Sequence, residues 1–73
     1  MKVAVVGAGK LGMTITEALL GGDNEVTLID KDEALIQKVA SRLDILTVTA
    51  NAKRIDIMKE LRIWDYDLLV SVV

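Results

Sequence analysis

The chain contains no cysteine, no histidine and no proline. Without cysteine there is no disulfide framework and no thiolate chemistry. Without histidine, the commonest general base and metal ligand is missing. Without proline, and with only one Trp and one Tyr, no segment reads as a linker or a low-complexity stretch. Neither sign of charge dominates. The net charge is −2 with acids and bases interspersed, so nothing suggests a nucleic-acid footprint. No apolar run approaches the roughly 20 residues that span a bilayer. Only Lys2 precedes the short apolar stretch Val3–Val6, which is too brief for a signal peptide. The chain reads as cytoplasmic.

What is present is a small, apolar-rich chain. Seventy-three residues allow one small domain, and 52% of them are apolar. A unit of this size buries only about 60% of its unfolded surface. That apolar content predicts a surface that meets something outside the chain. A complete doubly wound domain needs two βαβαβ halves, and this length holds about one. The chain also stops inside the strand-like run Leu68–Val73. Residues 1–73 are therefore expected to be the N-terminal half of a larger Rossmann-type domain, cut short or paired with another chain.

Hydrophobic periodicity divides the chain into alternating strands and helices. Lys2–Val6 is the first strand, and Gly7–Gly9 turn into a helix over Lys10–Leu20. Its apolar stripe is read as Leu11, Ile15, Ala18 and Leu19. Gly21 and Gly22 end it, and Glu25–Ile29 is the second strand. Asp32 caps a second helix that runs to about Leu43, with Leu35, Ile36, Val39, Ala40 and Leu43 inward. A third strand spans Ile45–Thr49. A third helix runs from about Lys53 to Leu61, burying Ile57, Met58 and Leu61. Asp65–Asp67 is a turn into the fourth strand. Such alternation with short connections predicts a parallel sheet with right-handed crossovers. The first two helices share one face and the third crosses back on the other. The predicted strand order is 3-2-1-4, with a switch point between strands 1 and 4 where ligands bind.

The first turn carries the chemistry. Gly7-Ala8-Gly9-Lys10-Leu11-Gly12 is a dinucleotide-binding fingerprint between a strand and a helix. Gly7 permits the tight turn, Gly9 lets a pyrophosphate approach the backbone, and Gly12 lets the helix pack closely. The helix N-terminus then faces the phosphates. The bland alternative is a tight turn with no ligand. Asp30 ends the second strand about 20 residues on, where a carboxylate accepts ribose hydroxyls and repels a 2′-phosphate. Its alternative is a solvated acid or a helix cap. Asp32 fits the cap better, which frees Asp30. Lys10 reaches a phosphate or is solvated, and Lys31 meets the adenosine edge or is solvated. Leu11 is read as packing in the core or turn. Asn51 hydrogen-bonds an adenine, a ribose or its own backbone. Glu60, Asp65 and Asp67 are scattered and read as solvated surface. Trp64 and Tyr66 read as packing or subunit contacts. Thr14 and Thr16 have no base nearby, so nucleophilic catalysis has no support.

Four segments together resemble a known family. They are Val5-Val-Gly-Ala-Gly-Lys-Leu-Gly12, Val26-Thr-Leu-Ile-Asp30-Lys-Asp32, Leu46-Thr-Val-Thr-Ala-Asn51-Ala52 and Leu61-Arg-Ile-Trp-Asp-Tyr-Asp67-Leu-Leu-Val70. They are similar to the TrkA N-terminal domain, also called RCK or KTN. That domain is the cytosolic nucleotide-binding regulator of Trk and Ktr potassium-uptake systems and of related channels. The resemblance implies binding of NAD(H), or of ATP and ADP. It places phosphates at the turn of Gly7, Gly9 and Gly12 with Lys10 beside it, the ribose at Asp30, and the base near Asn51 and Ala52. It also implies homo-oligomers, dimers or rings, beneath a membrane-embedded potassium transporter. The family usually has Gly before the Asn of the third turn, and Ala50 stands there in this chain.

Two functions follow. The first is a regulatory domain at the inner face of the membrane that senses a nucleotide through conformational change, with no covalent step. The second is the cofactor-binding half of an NAD-dependent oxidoreductase, whose catalytic groups would lie in another domain.

Overall fold

The structure is a computed structural model that describes residues 1–51 and 55–72. The elements are β1 (Lys2–Val6), α1 (Lys10–Leu20), β2 (Glu25–Asp30), α2 (Glu33–Ala40), β3 (Leu46–Thr49), α3 (Ile55–Glu60) and β4 (Leu68–Ser71). A single turn of 3-10 helix, Ile63–Asp65, lies between α3 and β4. All strand pairs are parallel, and the order is β3-β2-β1-β4. This is the Rossmann-like arrangement expected from the alternation of strands and helices.

One face of the sheet holds the core. Val3 and Val5 of β1 stand beside Val26 and Leu28 of β2, and all four are buried. Ala8, Ile36 and Val39 close over them from the α1 and α2 side. Fully burying an aliphatic side chain of this kind contributes roughly 1.5–3 kcal/mol, so this cluster supplies most of the cohesion. Ala4, Thr27 and Ile29 point to the opposite face and are also buried. A right-handed crossover from β3 to β4 runs against the direction set by β1, β2 and β3. It must therefore travel over that second face. There the Tyr66 hydroxyl meets Thr27 Oγ1 at 2.7 Å, and the Lys2 ammonium lies 4.6 Å from the Tyr66 ring centre.

Four local readings are corrected. Of the expected α1 stripe, Ile15 and Leu19 pack against the core, whereas Leu11 and Ala18 are exposed. Gly12 and Thr16 are buried, Met13, Ile15, Leu19 and Leu20 are half-buried, and Leu11 is 61% exposed. The helix is rotated by about one residue, or 100°, because Gly12 is drawn onto the backbone of Gly7. The rotation also buries the Thr16 hydroxyl without a partner, a cost of about 1–3 kcal/mol. Helix α2 ends at Ala40 rather than near Leu43, and Ala40 is exposed. Its last turn tightens: Arg42 N–H and Leu43 N–H both donate to the Val39 carbonyl. Leu43 still packs against the core from beyond the helix. Asp65 belongs to the 3-10 turn, whose entry is shaped by Arg62 in a left-handed conformation, φ +52°. Arg62 Nε donates to Asp65 Oδ2 at 2.8 Å. The expected stripe of the third helix, Ile57, Met58 and Leu61, is half-buried rather than buried. Its expected start at Lys53 lies outside the described residues.

Candidate nucleotide site

The carboxyl ends of the four strands are tied into one rim. Gly7 N–H donates to the Ile29 carbonyl at 2.8 Å, Ala50 N–H to the Asp30 carbonyl at 3.0 Å, and Val72 N–H to the Val6 carbonyl at 2.9 Å. The glycine turn, Asp30 and the Ala50–Asn51 turn therefore share one edge of the sheet. Tyr66 and Asp67 are at the other edge. The Asp67 carboxylate accepts from Lys2 N–H, where β1 begins. Tyr66 is thus removed from any base at the rim, and Trp64 is 62% exposed within the 3-10 turn.

The glycines of the turn have unlike reasons to be glycine. Gly7 has φ +116°, which side chains rarely adopt, and a Cβ there would sit 3.0 Å from Val72 Cγ2. A Cβ on Gly12 would collide with the Gly7 carbonyl oxygen. Those two glycines serve the fold. Gly9 is different. Its backbone is extended (φ −71°, ψ −170°), which any residue adopts, and a Cβ there meets no protein atom within 4 Å. No protein contact asks for a glycine at that position. What its bare backbone provides is room above the turn.

That room faces an uncapped helix. Gly9 is the N-cap of α1 and supplies no side-chain cap, and no acidic residue stands in the first turn. The first N–H groups of a helix have no partners within it and carry the positive end of its dipole. Helix α2 shows the contrast. Asp32 Oδ1 accepts from Ala34 N–H at 3.0 Å and Leu35 N–H at 3.3 Å, and Glu33 adds charge to the first turn. The expected cap at Asp32 is therefore present, while α1 is left open to an external anion.

Asp30 is not free, contrary to the expectation that a cap at Asp32 would leave it so. Its Oδ2 accepts from Ala8 N–H at 2.7 Å and its Oδ1 from Asp32 N–H at 2.8 Å. The carboxylate thus braces the glycine turn and the start of α2. A carboxylate offers about four acceptor positions, so two bonds to the backbone leave capacity for ligand hydroxyls. Ala8 is buried and takes part through its N–H. Sequence reasoning missed this brace. Its partners, Ala8 and Asp30, are 22 residues apart, and only the pairing of β1 with β2 brings them together.

The remaining candidates lie around this rim. Lys10 and Lys31 are exposed beside it. Leu11, expected to pack, points outward instead. Asn51 is exposed just after Ala50. Ala52 lies outside the described residues.

A profile of the TrkA-N domain matches residues 3–73. The chain is also similar to proteins named for potassium uptake. It is 32% identical over 72 residues to "Trk system potassium uptake protein TrkA" of Vibrio alginolyticus, which covers 99% of this chain and 16% of that protein. It is 32% identical over 71 residues to a TrkA homolog of Methanothermobacter thermautotrophicus, covering 97% of this chain and 33% of the relative. It is 38% identical over 72 residues to TrkA homolog 1 of Methanosarcina mazei, covering 99% and 17%. The chain thus spans between about a sixth and a third of these relatives. On the glycine turn, the strand order and the match across nearly its whole length, the chain belongs to the TrkA-N domain family.

Proposed function

We propose that this chain is the N-terminal part of a nucleotide-binding regulatory domain of a Trk-type potassium uptake system. The observation that carries the reading is the uncapped N-terminus of α1 beneath a turn whose Gly9 has open space above it. Those features suit the phosphates of NAD(H), ATP or ADP. Asp30, with acceptor capacity left after bracing the turn, suits an unphosphorylated ribose. Lys10, Lys31, Asn51 and Ala52 complete the proposed contacts.

Regulation here needs no chemical step. A nucleotide that prefers one conformation of an assembly shifts the population toward it, by as much as its affinities for the two states differ. In this reading the chain acts as part of a homo-oligomer at the cytoplasmic face of the membrane, joined to an embedded potassium transporter. The names of its relatives support the link to a potassium uptake system. No helix among the described residues is long and apolar enough to cross a membrane.

Calorimetric titration of NADH, ATP and ADP tests the reading. Saturable binding is expected. Gly9→Val, which fills the space above the turn, should weaken it at least tenfold. Asp30→Asn should weaken binding of nucleotides, and of pyrophosphate as well, because the brace on Ala8 N–H is disturbed along with the ribose contact. Absence of binding by all three nucleotides would refute the proposal.

A further inference from the structure

A second feature lies beside the glycine turn but away from the strand ends. A cavity of about 340 Å³ opens between α1 and α2, and Ala8 and Gly9 close one end of it. Its apolar floor is Met13, Leu35 and Val39, and its charged walls are Lys10, Lys38 and Arg42. Among the described residues, no acidic one lines it. Among the described residues, none of these three cationic side chains has an ion-pair or hydrogen-bond partner.

This arrangement is unexpected on charge alone. The chain carries 11 acids against 9 bases. A third of its bases nonetheless line one groove with no carboxylate among its walls. Three like charges around a small cavity repel one another, and an apolar floor screens them less than water does. A bound anion relieves that repulsion and gains charge-assisted hydrogen bonds. The α2 side chains are directed suitably. Long side chains lean toward the N-terminus of their helix, so Lys38 leans toward the end of α2 that lies beside the turn, while Arg42 lines the same cavity from the turn that follows α2.

We propose that the groove between α1 and α2 is a phosphoryl-binding subsite, in which Lys10, Lys38 and Arg42 close on one phosphoryl group. The group is carried either by a nucleotide seated at the glycine turn or by a free phosphorylated compound. The cavity has the volume of a small-molecule site, which favours such a ligand over a peptide strand. The nucleotide case rests on the function proposed above, whereas the free-compound case stands independently of it.

The test is calorimetry with pyrophosphate and ATP on the wild-type chain and on Lys38→Gln/Arg42→Gln. Both side chains are exposed, so the variant should melt as the wild type does. Affinity for at least one probe should fall about tenfold, the loss expected for one or two charge-assisted contacts. The swapped variant Lys38→Arg/Arg42→Lys, which keeps both charges, should bind within about threefold of wild type. Loss for ATP alone identifies a nucleotide-borne group. Loss for pyrophosphate, with or without ATP, identifies a site that takes a free phosphorylated compound. Unchanged affinity for both probes overturns the subsite, as does failure of wild type to bind either. An equal loss in the charge-keeping swap also overturns it, because the effect would then be structural. The two proposals fail separately. Pyrophosphate binding that depends on Lys38 and Arg42, without any nucleotide binding, would keep the groove and refute the nucleotide sensor. Nucleotide binding that depends on Gly9 but not on Lys38 or Arg42, with pyrophosphate unaffected, would do the reverse.

Discussion

At the scale of single residues, the turn separates two glycines that the fold requires from one that it does not. Gly12→Ala forces a methyl against the Gly7 carbonyl oxygen, and overpacking of that kind costs about 1–3 kcal/mol. Gly9→Ala meets no protein atom in a conformation open to alanine. It should be neutral or stabilising by roughly 0.4–1 kcal/mol, through the unfolded chain. Urea unfolding of the two variants checks this, and equal destabilisation would contradict the division of roles. The positions of all three glycines were legible from spacing alone, because a strand, a tight turn and a closely packed helix demand them in that order. The outward placement of Leu11 was not. The phase of α1 is set by contact between Gly12 and the Gly7 backbone, and a stripe of apolar letters does not report it.

At the scale of elements, local chemistry carried much of the information. The bounds of β1 and α1 follow from their own residues, Lys2–Val6 and Lys10–Leu20. The Asp32 cap was also legible, since a short acceptor ahead of an apolar helix has few other uses. Asp32→Ala removes the acceptor for Ala34 and Leu35 N–H and should cost about 1 kcal/mol. A thermal melt followed by far-UV circular dichroism measures it. Because the Asp32 carboxylate lies outside the proposed contacts, nucleotide affinity should hold within about twofold. The end of α2 was less legible. The apolar pattern continues to Leu43, which packs on the core from a tightened turn rather than from the helix. A buried side chain reports that the chain passes the core, not in which conformation it does so.

At the scale of the whole molecule, the sheet is finished in its middle and open at its margins. The central strands β1 and β2 are buried on both faces. The outer strands expose Leu46 on β3, and Leu68 and Leu69 on β4. Open apolar edges favour pairing with further chain, consistent with the proposed homo-oligomer. Sedimentation velocity over a hundredfold range of concentration should therefore show a coefficient that rises above the monomer value. A single monomeric species throughout would count against the oligomer. The sequence by itself determined the alternation of strands and helices, the strand order and the place of the glycine turn. These depend on residue type and spacing along the chain. Only the tertiary structure decided the rotation of α1, the engagement of Asp30 with the turn it faces, and the lining of one cavity by Lys10, Lys38 and Arg42. Each of those joins residues on different elements, and parallel pairing with helix packing sets such distances.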